Sequence, residues 1–448
     1  MRLGRCIVLC SAALLATGGS AAASTWTAPR SLVRESNTDP VTLRLALDPR
    51  GDGAMVWVHG KLLEARMRSA SGRLGPIMTV RRMRFGNNGL PQIAVGPSGQ
   101  AAIVWLENVH NGAFSRGNVF ASVSSGGGFG KPVRIGIQHV WPEGGTGAGA
   151  QGDSPKVAVA PDGTVGALWI DDGGALQAAF KRPGHRFSVE TIPARSGKYD
   201  VGAFDISLAF DGHGTAYAAW SSYNVLDHRN KVVVPAAGVR VAIRTRGASH
   251  FAKAIRVSRR GQSVSGLRMA VGGDGTVATI WVDADRYFLE PSPVEAAVKL
   301  PNGDFGSPQL LTGHCTGTVP QVAASSGGQV VAAWEQICNP NAQGALPELV
   351  GAAAPLGQPF GPAQVFYTPT SDYRLGYLDL AVAGSGDTVA VFSPQVTAAV
   401  RPPAGGFEAP QLVATSPYAT TPRIAGSNNF VIVAWQAPGG FYYSTLGT

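Results

Sequence analysis

A unit of thirteen residues recurs through most of this chain and constrains its fold more than any other feature. Each full-length copy starts with an apolar residue followed by Ala, carries Gly six residues after the start, and ends in an aromatic residue. The seven full-length copies span residues 45–57, 93–105, 157–169, 208–220, 269–281, 322–334 and 380–392. An eighth copy, residues 424–435, is one residue shorter. Such a repeat indicates units that bury their faces against their neighbours.

Each copy is typical of two short strands joined by a tight turn. In the copy at residues 157–169 the turn falls at Pro161, Asp162 and Gly163, where a Gly with positive φ is expected. A second hairpin follows each first one, so each unit has four strands, which we label A to D. Strand D often carries Pro, which lacks the N–H that a ladder needs and therefore belongs on a sheet edge. These prolines are Pro76, Pro132, Pro308, Pro362 and Pro410.

Strands A and B are rich in Ala, Val and Gly, as expected for strands covered on both faces. The aromatic residue that ends strand B suits the widening gap between units that fan outwards. Four-stranded units arranged radially form a β-propeller, so the sequence predicts an all-β fold of eight blades, or seven if one weak copy is not a blade. Strand D is missing after residues 441–445, and residues 26–33 match the strand D at 407–413. We therefore expect the N-terminal strand to pair in the last blade and close the ring.

The first residues have the pattern of a bacterial secretory signal peptide. Two arginines form a charged region, residues 6–16 are apolar but too short to span a bilayer, and three alanines at 21–23 offer a cleavage site. We expect residues 1–23 to be the signal peptide and residues 24–448 a single β-propeller domain, with roughly 53 residues per blade. The protein is then a monomer, secreted or held in the cell envelope outside the cytoplasm, without a transmembrane segment.

The chain is basic, with a formal net charge of +9 that falls to about +7 without the two leader arginines. This balance favours anionic partners such as cell-wall polymers or acidic glycans. The alternative interpretation is a modest excess of cations spread over a large surface. Lys and Arg form no run longer than a pair, and no basic helix or aromatic RNA-binding stripe occurs, so we do not expect a nucleic-acid partner.

Two cysteines, Cys315 and Cys338, remain in the exported part of the chain. If their hairpin turns at Ser326 and Gly327, the two cysteines lie opposite each other across strands A and B. An oxidising compartment and this register predict a disulfide bond. A metal site needs more Cys or His nearby than His314 provides, so we expect no metal and no cofactor.

The connections between strands differ on the two faces of the predicted ring. The A–B and C–D turns are short and similar, whereas the B–C and D–A loops vary widely and share one face, where binding and catalysis usually occur. Several long loops mix Asp, Arg and aromatic residues, which suit a glycan because sugars pack on aromatic faces and accept bidentate hydrogen bonds. The alternative is that these loops carry charge only because they are exposed. The candidate binding residues are Trp141, Tyr199, Asp200, Asp227, Arg229, Asp285, Arg286, Tyr287, Asp372, Tyr373 and Arg374.

The Ala-Val-x-Pro-Asp-Gly hairpins, clearest at residues 158–163, resemble the repeats of secreted bacterial propellers, including the TolB-like group. The chain is also similar to sialidase-like propellers. Their Asp-box places an aromatic residue soon after the Gly, whereas Trp169 lies six residues after Gly163, and no arginine triad is carried over. The resemblance covers nearly all of the mature chain and implies the fold, which does not by itself imply function.

The sequence supports three functional hypotheses. The leading one is a non-catalytic exported propeller that binds a glycan or a cell-surface protein through its variable loop face. The alternative is a sialidase-like hydrolase or lyase active on glycans, with carboxylates in the central funnel drawn from Asp285, Glu290 and Glu335. The third is a structural surface protein. Carboxylates within catalytic reach of one another would favour the enzyme, and an aromatic platform without them would favour binding.

Overall fold

Eight antiparallel four-stranded sheets, the blades of a propeller, account for most of the described chain. The computed structural model describes residues 25–34, 42–84, 90–108, 115–125, 127–140, 154–172, 174–193, 203–222, 225–226, 232–234, 238–283, 292–338, 342, 345–370, 377–393, 395–415 and 420–448. No α-helix occurs within these ranges. The all-β, eight-bladed fold predicted from the repeats is confirmed.

The strands are numbered along the chain, and within each blade their order runs from the axis outwards. The N-terminal strand β1 (Arg30–Arg34) belongs to blade 8. Blade 1 consists of β2 (Arg44–Leu47), β3 (Gly53–His59), β4 (Leu62–Arg68) and β5 (Leu74–Arg82), and blade 2 of β6 (Gln92–Val95), β7 (Ala101–Asn108), β8 (Ser115–Ser125) and β10 (Val133–Val140). Blade 3 consists of β11 (Lys156–Val159), β12 (Val165–Ile170), β13 (Leu176–Lys181) and β14 (Ser188–Ile192), and blade 4 of β15 (Ala203–Phe210), β16 (Ala216–Ser222), β19 (Gly238–Arg244) and β20 (Ile255–Arg256).

The second half of the ring has the same plan. Blade 5 consists of β21 (Val264–Val271), β22 (Val277–Asp283), β23 (Val294–Lys299) and β24 (Gln309–Leu310), and blade 6 of β25 (Thr316–Ala324), β26 (Val330–Ile337), β27 (Glu348–Ala354) and β28 (Gln364–Tyr367). Blade 7 consists of β29 (Leu378–Val382), β30 (Thr388–Phe392), β31 (Val396–Arg401) and β32 (Gln411–Ala414), and blade 8 of β33 (Thr420–Gly426), β34 (Phe430–Ala437), β35 (Gly440–Gly447) and β1. Short additions are β9 (Gly128–Phe129), paired with β8, and the hairpin of β17 (Val225–Leu226) and β18 (Val232–Val234).

The first strands of the eight blades contact one another in a closed cycle, in the order β2, β6, β11, β15, β21, β25, β29, β33 and back to β2. Strand A of every blade therefore surrounds a common axis. The ring is completed by β1, which pairs antiparallel with β35 in a register that sets Arg30 opposite Tyr443 and Val33 opposite Phe441. A bridge between Trp26 and Leu446 extends this pairing. Closure by the N-terminal strand, predicted from residues 26–33, is confirmed.

The A–B turns depend on glycine as the repeat predicts. In each full-length copy the Gly has a φ between 77° and 92°, and its N–H donates to the carbonyl three residues earlier at 2.8 to 3.1 Å. Left-handed backbone of this kind strains a residue with a side chain, which explains why Gly recurs at one position. These glycines are Gly51, Gly99, Gly163, Gly214, Gly275, Gly328 and Gly386.

The aromatic residues that end strand B form the core between blades. Each is at most 2% exposed, and each packs with apolar residues of a neighbouring blade, as Trp57 does with Leu32 and Phe441. An indole fills the widening space between radiating sheets better than an aliphatic side chain, because it buries a larger area. The eight residues are Trp57, Trp105, Trp169, Trp220, Trp281, Trp334, Phe392 and Trp435.

The predicted disulfide bond between Cys315 and Cys338 is present, with Cα atoms 4.3 Å apart. The strand register that brings the two cysteines together differs in detail from that of the uninterrupted hairpin expected from the sequence. Gly328 adds a third residue to the turn, which sets Ala324 opposite Val330, and a bulge in β25 shifts the pairing back so that Thr316 faces Ile337. The two irregularities cancel, and the cysteines meet as the uninterrupted hairpin predicts.

Removal of residues 24–34 is expected to lower the melting temperature sharply, because it opens the ring and exposes the apolar surface around Phe441. As a point variant, Leu32→Ala should lower the free energy of unfolding by about 2–5 kcal/mol, since Leu32 is 1% exposed. The exposed Arg30 on the same strand provides the control, because Arg30→Ala should change it by less than about 0.5 kcal/mol. Thermal and denaturant unfolding measure all three. An unchanged melting temperature after the deletion would contradict closure by β1.

Loss of the disulfide in Cys315→Ser/Cys338→Ser should reduce the free energy of unfolding by about 3 kcal/mol, because the bridge closes a loop across a sequence separation of 23 residues. The variant should remain folded, since packing between eight blades is retained. Mass analysis without reductant checks the bond in the wild type, and denaturant unfolding checks its contribution. Reductant should destabilise the wild type and leave the variant unaffected. Two free thiols in exported protein, or complete unfolding of the variant, would contradict the prediction.

Candidate functional site

The loop residues singled out by the sequence lie outside the described residues. This holds for all eleven candidates, from Trp141 to Arg374, so their roles stay predictions. The described strands nevertheless fix where these loops start and end, because the B–C and D–A connections leave every blade on one face. The axial channel opens at the centre of that variable face, and its wall is described in all eight blades.

One equivalent residue of strand A in each blade defines what we call the axial column. It directly precedes the first position of the repeated unit, and it pairs with the residue directly before the strand B aromatic in every blade. The residue is polar and half-buried in all eight blades. In blade order the axial column is Arg44, Gln92, Lys156, Ser207, Arg268, Gln321, Asp379 and Arg423. With four cations and one carboxylate, the column is strongly basic.

Four members of the axial column interact electrostatically, three from the neighbouring blades 7, 8 and 1 and one from blade 5. Arg44 of blade 1 interacts electrostatically with Arg423 of blade 8 and Asp379 of blade 7. Arg268 of blade 5 interacts with the same two residues and with Asp205 of blade 4. Because blades 5 and 8 are not neighbours, Arg268 and Arg423 interact across the channel. We call Arg44, Arg268, Asp379, Arg423 and Asp205 the axial cluster.

The carboxylate of Asp379 is held in place by backbone groups of two blades. Its Oδ1 accepts a hydrogen bond from the N–H of Leu380 at 3.0 Å, and its Oδ2 accepts one from the N–H of Ile424 at 3.3 Å. Burial raises the pKa of Asp379, and the nearby Arg423 together with these N–H groups opposes the rise. The backbone of blades 7 and 8 therefore fixes a carboxylate beside the guanidinium groups.

The guanidinium groups of the axial cluster are crowded and removed from bulk water. Burial lowers the pKa of Arg44 well below its usual range, and repulsion from Arg423 adds to this. Burial also lowers the pKa of Arg268, against the attraction of Asp205 and Asp379. An arginine has so high an ordinary pKa that it stays charged under such conditions. Arg423 lies with its guanidinium carbon 5.5 Å from the centre of the Tyr377 ring, within range of a cation–π interaction.

Strand A is bulged at the variable-face mouth of the channel in four blades. In blades 4, 5, 6 and 8 the pairing of strands A and B shifts register, and the residue two before the axial column has positive φ. These residues are Asp205 (46°), Gly266 (65°), Val319 (49°) and Thr421 (49°). Among the described residues, no other non-glycine has positive φ. Bulges of this kind re-aim side chains, and strained backbone of this kind is concentrated at functional sites.

Asp205 shows how one bulge contributes to the axial cluster. Its Oδ2 accepts hydrogen bonds from the N–H of Gly266 at 3.0 Å and from Oγ of Ser221 at 3.5 Å. The first bond joins the bulges of blades 4 and 5, and it places the carboxylate near Arg268. The bulged backbone therefore supplies both the carboxylate and one of its partners.

The axial column could have been found from the sequence by aligning the repeats, although it is not evident from the composition of the loops. In an alignment of the eight copies, the position directly before the first apolar residue is polar in every copy, whereas the following two positions are apolar. A polar residue next to a buried strand in one copy means little. The same property in eight copies is a pattern, and ring closure is what places the eight residues around one axis.

A second cavity lies between blades 4 and 5 on the face of the short turns, with a volume of about 340 Å³. Its lining includes Asp211, Tyr217 and Lys299. The carboxylate of Asp211 accepts hydrogen bonds from two turn N–H groups and from the Tyr217 hydroxyl, and Nζ of Lys299 donates to two backbone carbonyls. Burial, followed by the charge of Asp211, raises the pKa of Tyr217. These polar groups are satisfied within the fold, and we attribute them to the A–B turn.

The described residues contain no group of three or more His, Cys, Asp or Glu side chains placed to hold a metal ion. Of the carboxylates considered for glycoside chemistry, Glu335 lies in β26 and accepts a hydrogen bond from Oγ1 of Thr318 at 3.5 Å. Asp285 and Glu290 lie outside the described residues. In the described part of the chain, no helix is long and apolar enough to cross a membrane.

No protein-family model matches the chain, and no curated protein matches it. Solved structures are similar at low identity. An ulvan lyase, a polysaccharide lyase, is 12% identical with a TM-score of 0.48, over 76% of this chain and 91% of that one. Virginiamycin B lyase from Staphylococcus aureus is 11% identical with a TM-score of 0.41, over 81% and 96%. An α-L-arabinanase from Penicillium chrysogenum is 10% identical with a TM-score of 0.37, over 80% and 92%. These likenesses concern the propeller fold alone.

The strain at the channel mouth predicts a stabilising substitution. Val319→Asn should raise the free energy of unfolding by about 1 kcal/mol, because a β-branched residue at a φ of 49° is strained and Asn tolerates this region. The matched control is Val365→Asn on β28 of the same blade, an exposed valine in ordinary strand backbone, which should lower it. Denaturant unfolding compares the two. Equal losses in both variants would show that Val319 is not strained.

Proposed function

We propose that this protein is an exported, non-catalytic β-propeller that binds a glycan or a cell-surface protein at its variable face, with the channel mouth at the centre of the binding surface. The observation that supports this most is the axial column, which is polar in all eight blades. A channel that serves only to close a ring is most stable with small apolar residues. Three arginines facing one another lower stability through desolvation and mutual repulsion, so a binding role accounts for their presence better than a structural role.

The loops around the mouth supply the rest of the proposed surface. Aromatic residues such as Trp141, Tyr287 and Tyr373 are expected to stack against sugar rings, and Arg229 and Arg374 to donate bidentate hydrogen bonds. We place residues 1–23 as a signal peptide that is removed and residues 24–448 as the single binding domain, a monomer. The disulfide between Cys315 and Cys338 supports an oxidising compartment outside the cytoplasm.

A glycan-active hydrolase or lyase is the second candidate, and one observation favours it. Burial raises the pKa of Asp379, and a carboxyl with a raised pKa suits a general acid. Against it, both oxygens of Asp379 accept backbone hydrogen bonds, so the carboxyl is committed to the strands that hold it. Glycoside hydrolysis commonly needs two carboxyl groups flanking the bond. In this proposal Asp379 is a structural anion and not a catalytic residue.

Purified residues 24–448 applied to a glycan array and a panel of glycoside substrates test the proposal. We expect binding to a subset of glycans without turnover. Arg374→Ala in a variable loop should weaken that binding about tenfold, because it removes a charge-assisted hydrogen bond. The exposed Arg186 lies in a C–D turn on the opposite face, so Arg186→Ala should leave binding unchanged. Turnover of any glycoside that Asp379→Asn abolishes would establish the enzyme instead, and equal effects of the two arginine variants would refute binding at the variable face.

A further inference from the structure

The axial cluster contains more positive than negative charge within a confined space. Three guanidinium groups, those of Arg44, Arg268 and Arg423, face two carboxylates, those of Asp205 and Asp379. Lys156 adds another cation to the axial column. Charges removed from bulk water interact strongly because screening is weak there, so repulsion between the guanidinium groups raises the free energy of the cluster. A bound anion would reduce this repulsion.

Arg423 presents an unused pair of donors. Its Nε and Nη2 atoms are buried, and neither has a hydrogen-bond partner. These two nitrogens lie on the same edge of the guanidinium plane, so their N–H groups form the fork that fits two oxygens of one oxyanion. A buried donor without a partner is costly, and more so when it is charged. The Nε and Nη2 donors of Arg423 can therefore both bind one bidentate acceptor.

The carboxylates of the cluster do not occupy this fork. Asp379 directs Oδ1 to the N–H of Leu380 and Oδ2 to the N–H of Ile424. Asp205 directs Oδ2 to the N–H of Gly266. Backbone hydrogen bonds thus hold both carboxylates beside the arginines while the Nε and Nη2 donors of Arg423 remain open. The two carboxylates reduce the repulsion between the arginines and leave the Nε and Nη2 donors of Arg423 without an acceptor.

We propose that the axial cluster binds one oxyanion group, a carboxylate or a sulfate ester, carried by an acidic sugar. Arg423 donates hydrogen bonds to two of its oxygens, and the positive charges of Arg44 in blade 1 and Arg268 in blade 5 attract it further. This inference rests on the proposed function and narrows its ligand to an anionic glycan. The other members of the axial column, Gln92, Ser207 and Gln321, are uncharged side chains that can both donate and accept hydrogen bonds, which suits sugar hydroxyls. The Tyr377 ring beside Arg423 offers an apolar face for a sugar ring.

Calorimetric titration of residues 24–448 tests the inference with four probes: glucuronate, glucose 6-sulfate, glucose and triglutamate. We expect glucuronate or glucose 6-sulfate to bind at least about tenfold more tightly than glucose, and the better of the two identifies the oxyanion. Arg423→Gln should weaken that probe at least about tenfold, since it removes the charge and the fork. The affinity of Arg423→Lys should lie between those of the wild type and Arg423→Gln, because lysine keeps the charge without the fork. Arg186→Gln, an exposed arginine on the opposite face, should change nothing.

A thermal melt of each variant shows whether it folds. If Arg423→Gln does not fold, Arg268→Gln, on the other side of the channel, is used in its place. Glucose binding as tightly as the charged sugars, unchanged affinity in the variants, or tightest binding of triglutamate would each overturn the inference. Array binding restricted to neutral glycans would also overturn it while leaving the proposed function intact. Charged-sugar binding at the axis without any array binding would instead uphold the site and refute the wider loop surface.

The pH dependence of glucose 6-sulfate affinity gives a second readout, because a sulfate ester keeps its charge across the range. Burial raises the pKa of Asp379, so this carboxyl takes up a proton at a higher pH than usual. Protonation removes a negative charge from the site, and affinity for the sulfate should therefore rise as the pH is lowered. Asp379→Asn should flatten this profile, and a falling affinity in the wild type would contradict the assignment. Among the described residues, the charged groups that interact with Asp379 are Arg44, Arg268 and Arg423, and Tyr377 interacts with Arg44 and lies beside Arg423.

Discussion

Antiparallel pairing of β1 with β35 is the interaction on which the rest of the structure depends. Without it blade 8 would lack its outer strand, and the apolar residues around Phe441 and Trp57 would lose the cover of Leu32 and Val33. A closed ring also forces the eight A strands to share one axis. Closure thereby converts a repeat along the chain into an eightfold arrangement in space, in which any single position of strand A becomes a circle of residues around the channel.

Two positions of each blade meet opposite requirements. The aromatic residue at the end of strand B is buried between blades and stabilises the ring through apolar contact. The polar residue of strand A that directly precedes the repeated unit faces the channel, where arginines from blades 1, 5 and 8 repel one another. Strained residues such as Val319 and Thr421 stand at the same end. Stability is therefore concentrated between the blades, and the axis carries groups whose presence a ligand explains better than folding does.

Most of the fold could be predicted from the sequence because its determinants are local and repeated. The positive φ of Gly163 and its equivalents, the buried Trp169 and the pairing of Cys315 with Cys338 all follow from spacing and residue type. The bulges could not be predicted, since Val319 and Thr421 are residues that ordinarily avoid positive φ and only tertiary context imposes it. The axial cluster escaped for another reason, because its members are far apart in sequence and meet only through closure. The loop candidates lie outside the described residues, so their prediction rests on residue type alone.

The central claim is that the axis of this propeller is an oxyanion site and not merely the place where eight strands converge. Crystals of residues 24–448 soaked in selenate, whose selenium atom scatters anomalously, test this most directly. An anomalous peak on the axis, within hydrogen-bonding distance of Nε and Nη2 of Arg423 and lost in Arg423→Gln, is the predicted result. Selenate bound only at surface arginines such as Arg186, with an axis free of anomalous signal at full occupancy elsewhere, would contradict the claim.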